Sequence, residues 1–161
     1  MSHEPKKPVK LRHGSNGYLL TLQITSDPNL LCAVRGTVER LTEAFGFSAA
    51  ECRSVTRAVD EALTNIIRHA YSGAPDRSIE LAFRCVAPRT DGKASGEGLE
   101  ITMSDHGPAV DPEKLCGREL SDVKPGGLGL HFIRQSMDVV EFQRANDANR
   151  LRLVKYVRSP K

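Results

Sequence analysis

No apolar run in this chain approaches the roughly 20 residues that a membrane-spanning helix requires, so no helical membrane anchor is expected. The opening residues, Met1-Ser-His-Glu-Pro-Lys-Lys-Pro, lack the apolar stretch of a signal peptide, which predicts a cytoplasmic protein. Close cysteine pairs are missing too. Cys32, Cys52, Cys85 and Cys116 are scattered without metal-ligand spacing, so reduced thiols are expected. Charge of one sign is scarce: the formal net charge is +3, partly from Lys6, Lys7, Lys10 and Arg12 near the start. That excess is too small and too local to predict direct nucleic-acid binding. There is no internal repeat and no low-complexity segment.

What remains is ordinary globular material. The chain has 161 residues, 39% hydrophobic and 27% charged, which suits one domain with one substantial core. Residues 1–16 are polar and proline-bearing and read as a flexible tail, leaving 17–158 as the domain. Tyr18–Thr25 alternates like a half-buried strand. Ser26-Asp27-Pro28 is a helix-start signal, followed by Leu30, Leu31, Val34, Val38, Leu41 and Phe45 at helical spacing and a stop at Gly46. Ser48-Ala-Ala-Glu51 reads as a capping box opening a second helix that runs to Ala70. Strands are expected at Ser78–Val86 and Leu99–Ser104, forming an antiparallel hairpin across the loop Ala87–Gly98. An aperiodic stretch from Asp105 to Pro125 reads as a functional lid. A helix from Gly126 to Met137 follows, then strands Val139–Arg144 and Arg150–Val157 around a turn at Asn146–Asn149. The order predicts an α+β fold, a two-layer sandwich with helices on one face of a mixed, mostly antiparallel sheet.

Three short segments carry candidate chemistry. On the second helix, Arg57, Glu61, Asn65 and Arg68 cluster opposite a broad apolar arc, with Glu61 and Asn65 only about 40° apart. Such a face is either solvated or borders a cleft. In a cleft, Asn65 offers a neutral oxygen to a magnesium ion, and Glu61 accepts a proton from a hydroxyl attacking a phosphate. Asp105, at a strand end, either makes a local turn or accepts a hydrogen bond from an exocyclic amine such as adenine's. Gly107 beside it would let a flat base approach the backbone. Gly126-Gly127-Leu128-Gly129 is either a hinge or a set of backbone N–H groups at a helix start, where phosphate binds well. It is neither a dinucleotide fingerprint nor a Walker loop. His69 and His131 read as packed or surface residues rather than metal ligands.

Together the three segments resemble a known superfamily. Glu61-X-X-X-Asn65 is similar to the N box of the Bergerat-fold ATPases, Asp105-X-Gly107 to their first glycine box, and Gly127-Leu-Gly129 to their second. Val59-Asp-Glu-Ala-Leu-Thr-Asn65 with His69-Ala-Tyr71, and Pro125-Gly-Gly-Leu-Gly-Leu130 leading to Met137-Asp138, resemble the anti-sigma factor serine/threonine kinases most. The resemblance spans about Thr21 to Val157. It implies the Bergerat ATP-binding fold, with Glu61 as general base and Asn65 as the magnesium ligand. Asp105 and Gly107 are implied at adenine, and Gly126, Gly127 and Gly129 facing phosphate. Arg35, on the first helix, is implied as a partner contact. One position departs: Ala109 stands where many members of the superfamily have a further glycine.

The function implied is an ATP- and Mg²⁺-dependent serine/threonine protein kinase that is also an anti-sigma factor. It would phosphorylate an anti-anti-sigma factor and sequester a sigma factor, as a homodimer joined near Tyr18–Thr25. The alternative is a nucleotide-dependent protein-binding switch without kinase activity. The ATPase half of a sensor histidine kinase is disfavoured, because the chain carries neither a membrane segment nor a helical domain with a phosphoacceptor histidine.

Overall fold

Alternating side chains make Tyr18–Thr25 strand β1, with Leu20, Leu22 and Ile24 turned onto the core. In the computed structural model, which describes residues 17–89, 96–109 and 128–158, Ser26 follows fully buried. Its hydroxyl donates to the Ala74 carbonyl and accepts from the Arg77 N–H at 3.0 Å. Asp27 then caps the turn, its Oδ1 accepting from the Asn29 N–H at 2.9 Å, with Pro28 in the first turn. The start signal is therefore real, but Pro28–Leu30 forms a 3₁₀ turn and α1 runs Leu31–Phe45. Gly46 ends α1 in the left-handed region at φ 84°, which favours glycine.

Helix α2, Ala49–Asn65, opens with the expected capping box: the Glu51 N–H donates to Ser48 Oγ, and the Ser48 N–H to the Glu51 carboxylate at 2.9 Å. One unbroken helix to Ala70 was expected. Instead the ladder widens after Asn65 into a π-helical turn, Ile66–Ala70, closed by the Tyr71 N–H on the Ile66 carbonyl at 3.1 Å. The wider turn leaves the neighbours Ile66 and Ile67 both buried. Such turns recur at functional sites.

Strands β2 (Ser78–Val86) and β3 (Gly98–Asp105) pair antiparallel, with Ile79 opposite Asp105 and Val86 opposite Gly98. Helix α3 is described from Leu128 to Ser136, so the expected helix start at Gly126 and Gly127 lies outside the described residues. So do the tail 1–16 and the greater part of the stretch read as a lid. Strands β4 (Val139–Ala145) and β5 (Ala148–Tyr156) meet at a two-residue turn in which Asn146 and Asp147 have φ 51° and 60°. Positive φ at both central residues is the hairpin geometry matched to strand twist. The four-residue turn expected at 146–149 is thus corrected, and Asn149 belongs to β5.

The sheet order is β1-β2-β3-β5-β4, and among the described residues the mostly antiparallel sheet expected is antiparallel throughout. Alternation assigns Leu81, Phe83, Ile101, Met103 and Leu153 to one face, where they meet Val34 and Val38 of α1, Val55, Val59 and Leu63 of α2, and Ile133 of α3. Fully burying each such side chain stabilises the fold by about 1.5–3 kcal/mol. Asp105 lies on this same buried face, two residues beyond Met103. The opposite face carries a charge ladder: Glu100 bridges Arg152 at 2.8 Å and Arg84 at 3.9 Å, and Arg152 reaches Glu141 at 2.9 Å.

Candidate functional site

Helix α2 is the spine of the site. Its apolar arc is buried, and Glu61 and Asn65 stand half-buried on the flank. Glu61 meets the first turn of α3. A Cβ built on Gly129 would overlap the Glu61 carboxylate, at 2.7 Å from Cδ and 2.9 Å from Cγ. Any side chain at 129 would have to push the Glu61 carboxylate aside.

The other end of the spine meets the turn after β3. A Cβ on the buried Gly107 would lie 2.6 Å from Ala70 Cβ and 2.9 Å from the Ala70 carbonyl oxygen. Gly107 is therefore required by close packing on the π-helical turn. Its N–H donates to Asp105 Oδ1 at 2.8 Å, so the local turn weighed as an alternative for Asp105 is present. Nine residues separate Glu61 from Ala70, which is about 13 Å of helix at 1.5 Å per residue, and Asn65 lies between them. The two glycine contacts therefore lie at two levels of the helix and its π-helical continuation, Gly129 on Glu61 and Gly107 on Ala70, with Asn65 between them in sequence.

Asp105 is 5% exposed and tightly held. Its Oδ1 also accepts from Asn149 Nδ2 at 2.9 Å, because the β3–β5 register sets the two residues side by side. The same Asn149 amide donates to the Gly107 and Pro108 carbonyls at 3.3 and 3.0 Å. Arg144 donates to Asn149 Oδ1 at 2.7 Å and to the Gly107 carbonyl at 3.2 Å. On the other flank, the Tyr71 hydroxyl accepts from the His106 N–H at 2.9 Å and donates to the Ser78 carbonyl at 2.7 Å. Burial pushes the Tyr71 phenol above its ordinary range; the His106 N–H opposes this and the Asp105 charge adds to it. Tyr71, Arg77, Ser78, His106 and Gly107 border a hollow of about 500 Å³ whose wall includes neither Glu61 nor Asn65.

Sequence reasoning missed Asn149 and Arg144. The available signal was Asn146-Asp147: read as a two-residue turn, it carries Asn149 into the strand and opposite Asp105. Arg35 is not a free surface cation. Its Nε lies 2.7 Å from Asp60 Oδ1, joining α1 to the residue before Glu61, and this carboxylate holds the guanidinium above its ordinary pKa. His69 and His131 are exposed. Among the described residues no three His, Cys, Asp or Glu side chains converge as a metal cluster. A magnesium ion carried by phosphates needs none, since it is held through one or two protein oxygens and keeps several waters. The residues present therefore fit Mg-ATP: a buried carboxylate fixed in place, two glycines at close approaches, and an asparagine between them. Gly126 and Gly127 lie outside the described residues.

Comparison with known proteins agrees with this geometry. The model of the histidine kinase-like ATPase domain matches residues 24–155. The chain is 26% identical over 122 residues to the serine-protein kinase RsbW of Listeria innocua, covering 76% of this chain and 77% of that one. It is 26% identical over 147 residues to RsbW of Bacillus pumilus, covering 86% of each. With the serine/threonine-protein kinase BtrW of Bordetella bronchiseptica it shares 30% identity over 107 residues, 64% of this chain and 69% of that one. The fold is shared with the SiaB–SiaC complex structure from Pseudomonas aeruginosa, at TM-score 0.59 and 15% identity over 86% of this chain and 90% of that one. It is shared also with the RsbU and RsbW domain structure from Mycobacterium tuberculosis, at TM-score 0.52 and 14% identity over 88% of this chain and 35% of that one. The glycine contacts on α2, the buried Asp105 and the match over 24–155 lead to one statement: this chain belongs to the histidine kinase-like ATPase domain family, among relatives named as serine-protein kinases.

Proposed function

We propose that this protein is an ATP-dependent serine/threonine protein kinase and anti-sigma factor of the cytoplasm. The observation that carries the reading is the pair of close glycine contacts, Gly129 on Glu61 and Gly107 on Ala70 beside the buried Asp105, at two levels of the helical segment that carries Asn65. It supports adenine at the Asp105 end, phosphates at the Glu61 end and the metal between them. Asp105, its Oδ1 filled by two N–H donors, keeps its carboxylate pointed for an exocyclic amine. Magnesium, held by Asn65 and phosphate oxygens, would neutralise the charge of the transferring group. Glu61 takes the proton from a serine or threonine hydroxyl of the acceptor protein as that oxygen bonds to the γ-phosphorus. The β–γ bridging bond breaks, and ADP and a phosphoprotein remain. Gly126, Gly127 and Gly129 would offer backbone N–H groups to the phosphate oxygens.

By the resemblance of its motifs, the acceptor is an anti-anti-sigma factor, and its phosphorylation frees this protein to hold a sigma factor. Arg35, fixed by Asp60 through Nε, still presents the rest of its guanidinium fork to such a partner. β1 is an edge strand of the sheet, which supports a homodimer joined there. Glu61→Gln tests the reading: ATP binding is retained and transfer from labelled ATP to the antagonist is lost. Undiminished transfer by that variant would remove Glu61 from the role of base.

A further inference from the structure

Two contacts fasten α3 to α2, one turn apart on each helix. Glu61 meets Gly129, and Arg57, one turn earlier on α2, sets its guanidinium carbon 4.3 Å from the centroid of the Phe132 ring, one turn later on α3. The helices therefore run antiparallel at this seam. The members of each pair share a face of their own helix, about 40° apart on α2 and 60° apart on α3. Phe132 is half-buried and packs against the hydrophobic core, so its ring is a fixed platform. Arg57 is exposed, and among the described residues no carboxylate forms an ion pair with it. Its described contact is the ring. A guanidinium over an aromatic face is attracted by the ring quadrupole and is planar enough to stack on it.

We propose that Arg57 is a positioning residue, which holds α3 in the rotation that sets Gly129 opposite Glu61. The proposal rests on the ATP reading above in one respect: the first turn of α3 is where phosphates would meet Glu61. Without Arg57, α3 is still packed through Ile133, and through Met137 just past its end, but it loses its anchor on the side that faces α2. A surface arginine serving solubility alone would leave α3 unaffected.

The test compares wild type with Arg57→Lys, Arg57→Ala, Phe132→Leu and the double variant Arg57→Ala/Phe132→Leu. Amide hydrogen exchange of the nucleotide-free protein is read first. Arg57→Ala speeds exchange of the α3 amides past its first turn, which donate within the helix, by about two- to five-fold, the span of an exposed cation–π contact, and leaves α2 unchanged. Arg57→Lys keeps most of the protection. The double variant is no worse than Phe132→Leu, because both changes remove one contact. In calorimetry, Arg57→Ala weakens ATP by the same factor and leaves AMP, which lacks the outer phosphates, unaffected. Unchanged α3 exchange, single effects that multiply, or equal weakening of ATP and AMP would each overturn the proposal. A wild type that binds no ATP would remove the ATP reading, while the exchange comparison would still decide the role of Arg57.

Discussion

Replacing Asn149 by alanine strikes the residue that clamps Asp105 from a neighbouring strand. The side chain is 7% exposed, so water cannot replace what it provides. Its amide gives up three acceptors: Asp105 Oδ1 at 2.9 Å, Pro108 O at 3.0 Å and Gly107 O at 3.3 Å. Gly107 O keeps Arg144 and Asp105 Oδ1 keeps the Gly107 N–H, so the turn is weakened rather than abolished. A buried hydrogen bond to a charged acceptor contributes about 1.5–3 kcal/mol and one to a neutral carbonyl about 0.5–1.5, which together give a loss of about 2–4.5 kcal/mol. That lies inside a typical total of about 5–15 kcal/mol, so the variant still folds. Urea denaturation should show a lower midpoint at unchanged slope, and the melting temperature should fall by about 5–15 °C. Asn149→Asp adds a sign to the test. Two neighbouring carboxyls raise one folded-state pKa, so the variant's stability is retained at low pH and lost as pH rises. Arg144 offsets part of this repulsion. A loss for Asn149→Ala below about 0.5 kcal/mol, the level of a neutral surface change, would refute the reasoning.

Further outcomes follow from single contacts. Gly129→Ala pushes aside the Glu61 side chain, which holds the three atoms nearest the added Cβ; calorimetry should show ADP binding retained, while phosphotransfer falls at least as far as in any Arg57 variant. Asp138→Ala strands Lys155, whose ammonium lies 3.5 Å from that carboxylate with its side chain only 9% exposed. Breaking such a pair costs about 3–5 kcal/mol, readable as a lower urea midpoint. Burial first, then the hydrogen bond and charge of Glu97, push the Cys85 thiol up to about 11. At pH 8 iodoacetamide should therefore label the exposed Cys32 well ahead of Cys85 in peptide mapping, and the gap should narrow as pH approaches 11.

Much of this architecture was legible because its causes are local. The Ser48–Glu51 box and Gly46 act within one turn, and the apolar spacing of α1 and α2 repeats within a few residues. The hairpin of β2 and β3 followed from adjacency. Errors fell where a local rule met a tertiary demand. Asn146–Asn149 looked like one polar turn, yet sheet twist selects a two-residue turn and draws Ala148 and Asn149 into β5. The helix through Ala70 reads as continuous, yet packing of both Ile66 and Ile67 accompanies a wider last turn. The ion pair of Arg35 with Asp60 was not legible, because Asp60 is 25 residues away in the chain.

The sequence by itself determined the elements, their order, and the residue types of a nucleotide site, since periodicity, caps and motif spacing are properties of neighbours. Only the tertiary structure decided what each of those residues touches. Gly129 meets Glu61 because α3 packs antiparallel on α2; Gly107 seats on Ala70 because β3 ends beneath the π-helical turn. Asp105 is clamped by Asn149 and Arg144 because strands far apart in sequence share one register. Those contacts arise from packing between distant segments, and no window of neighbouring residues encodes them.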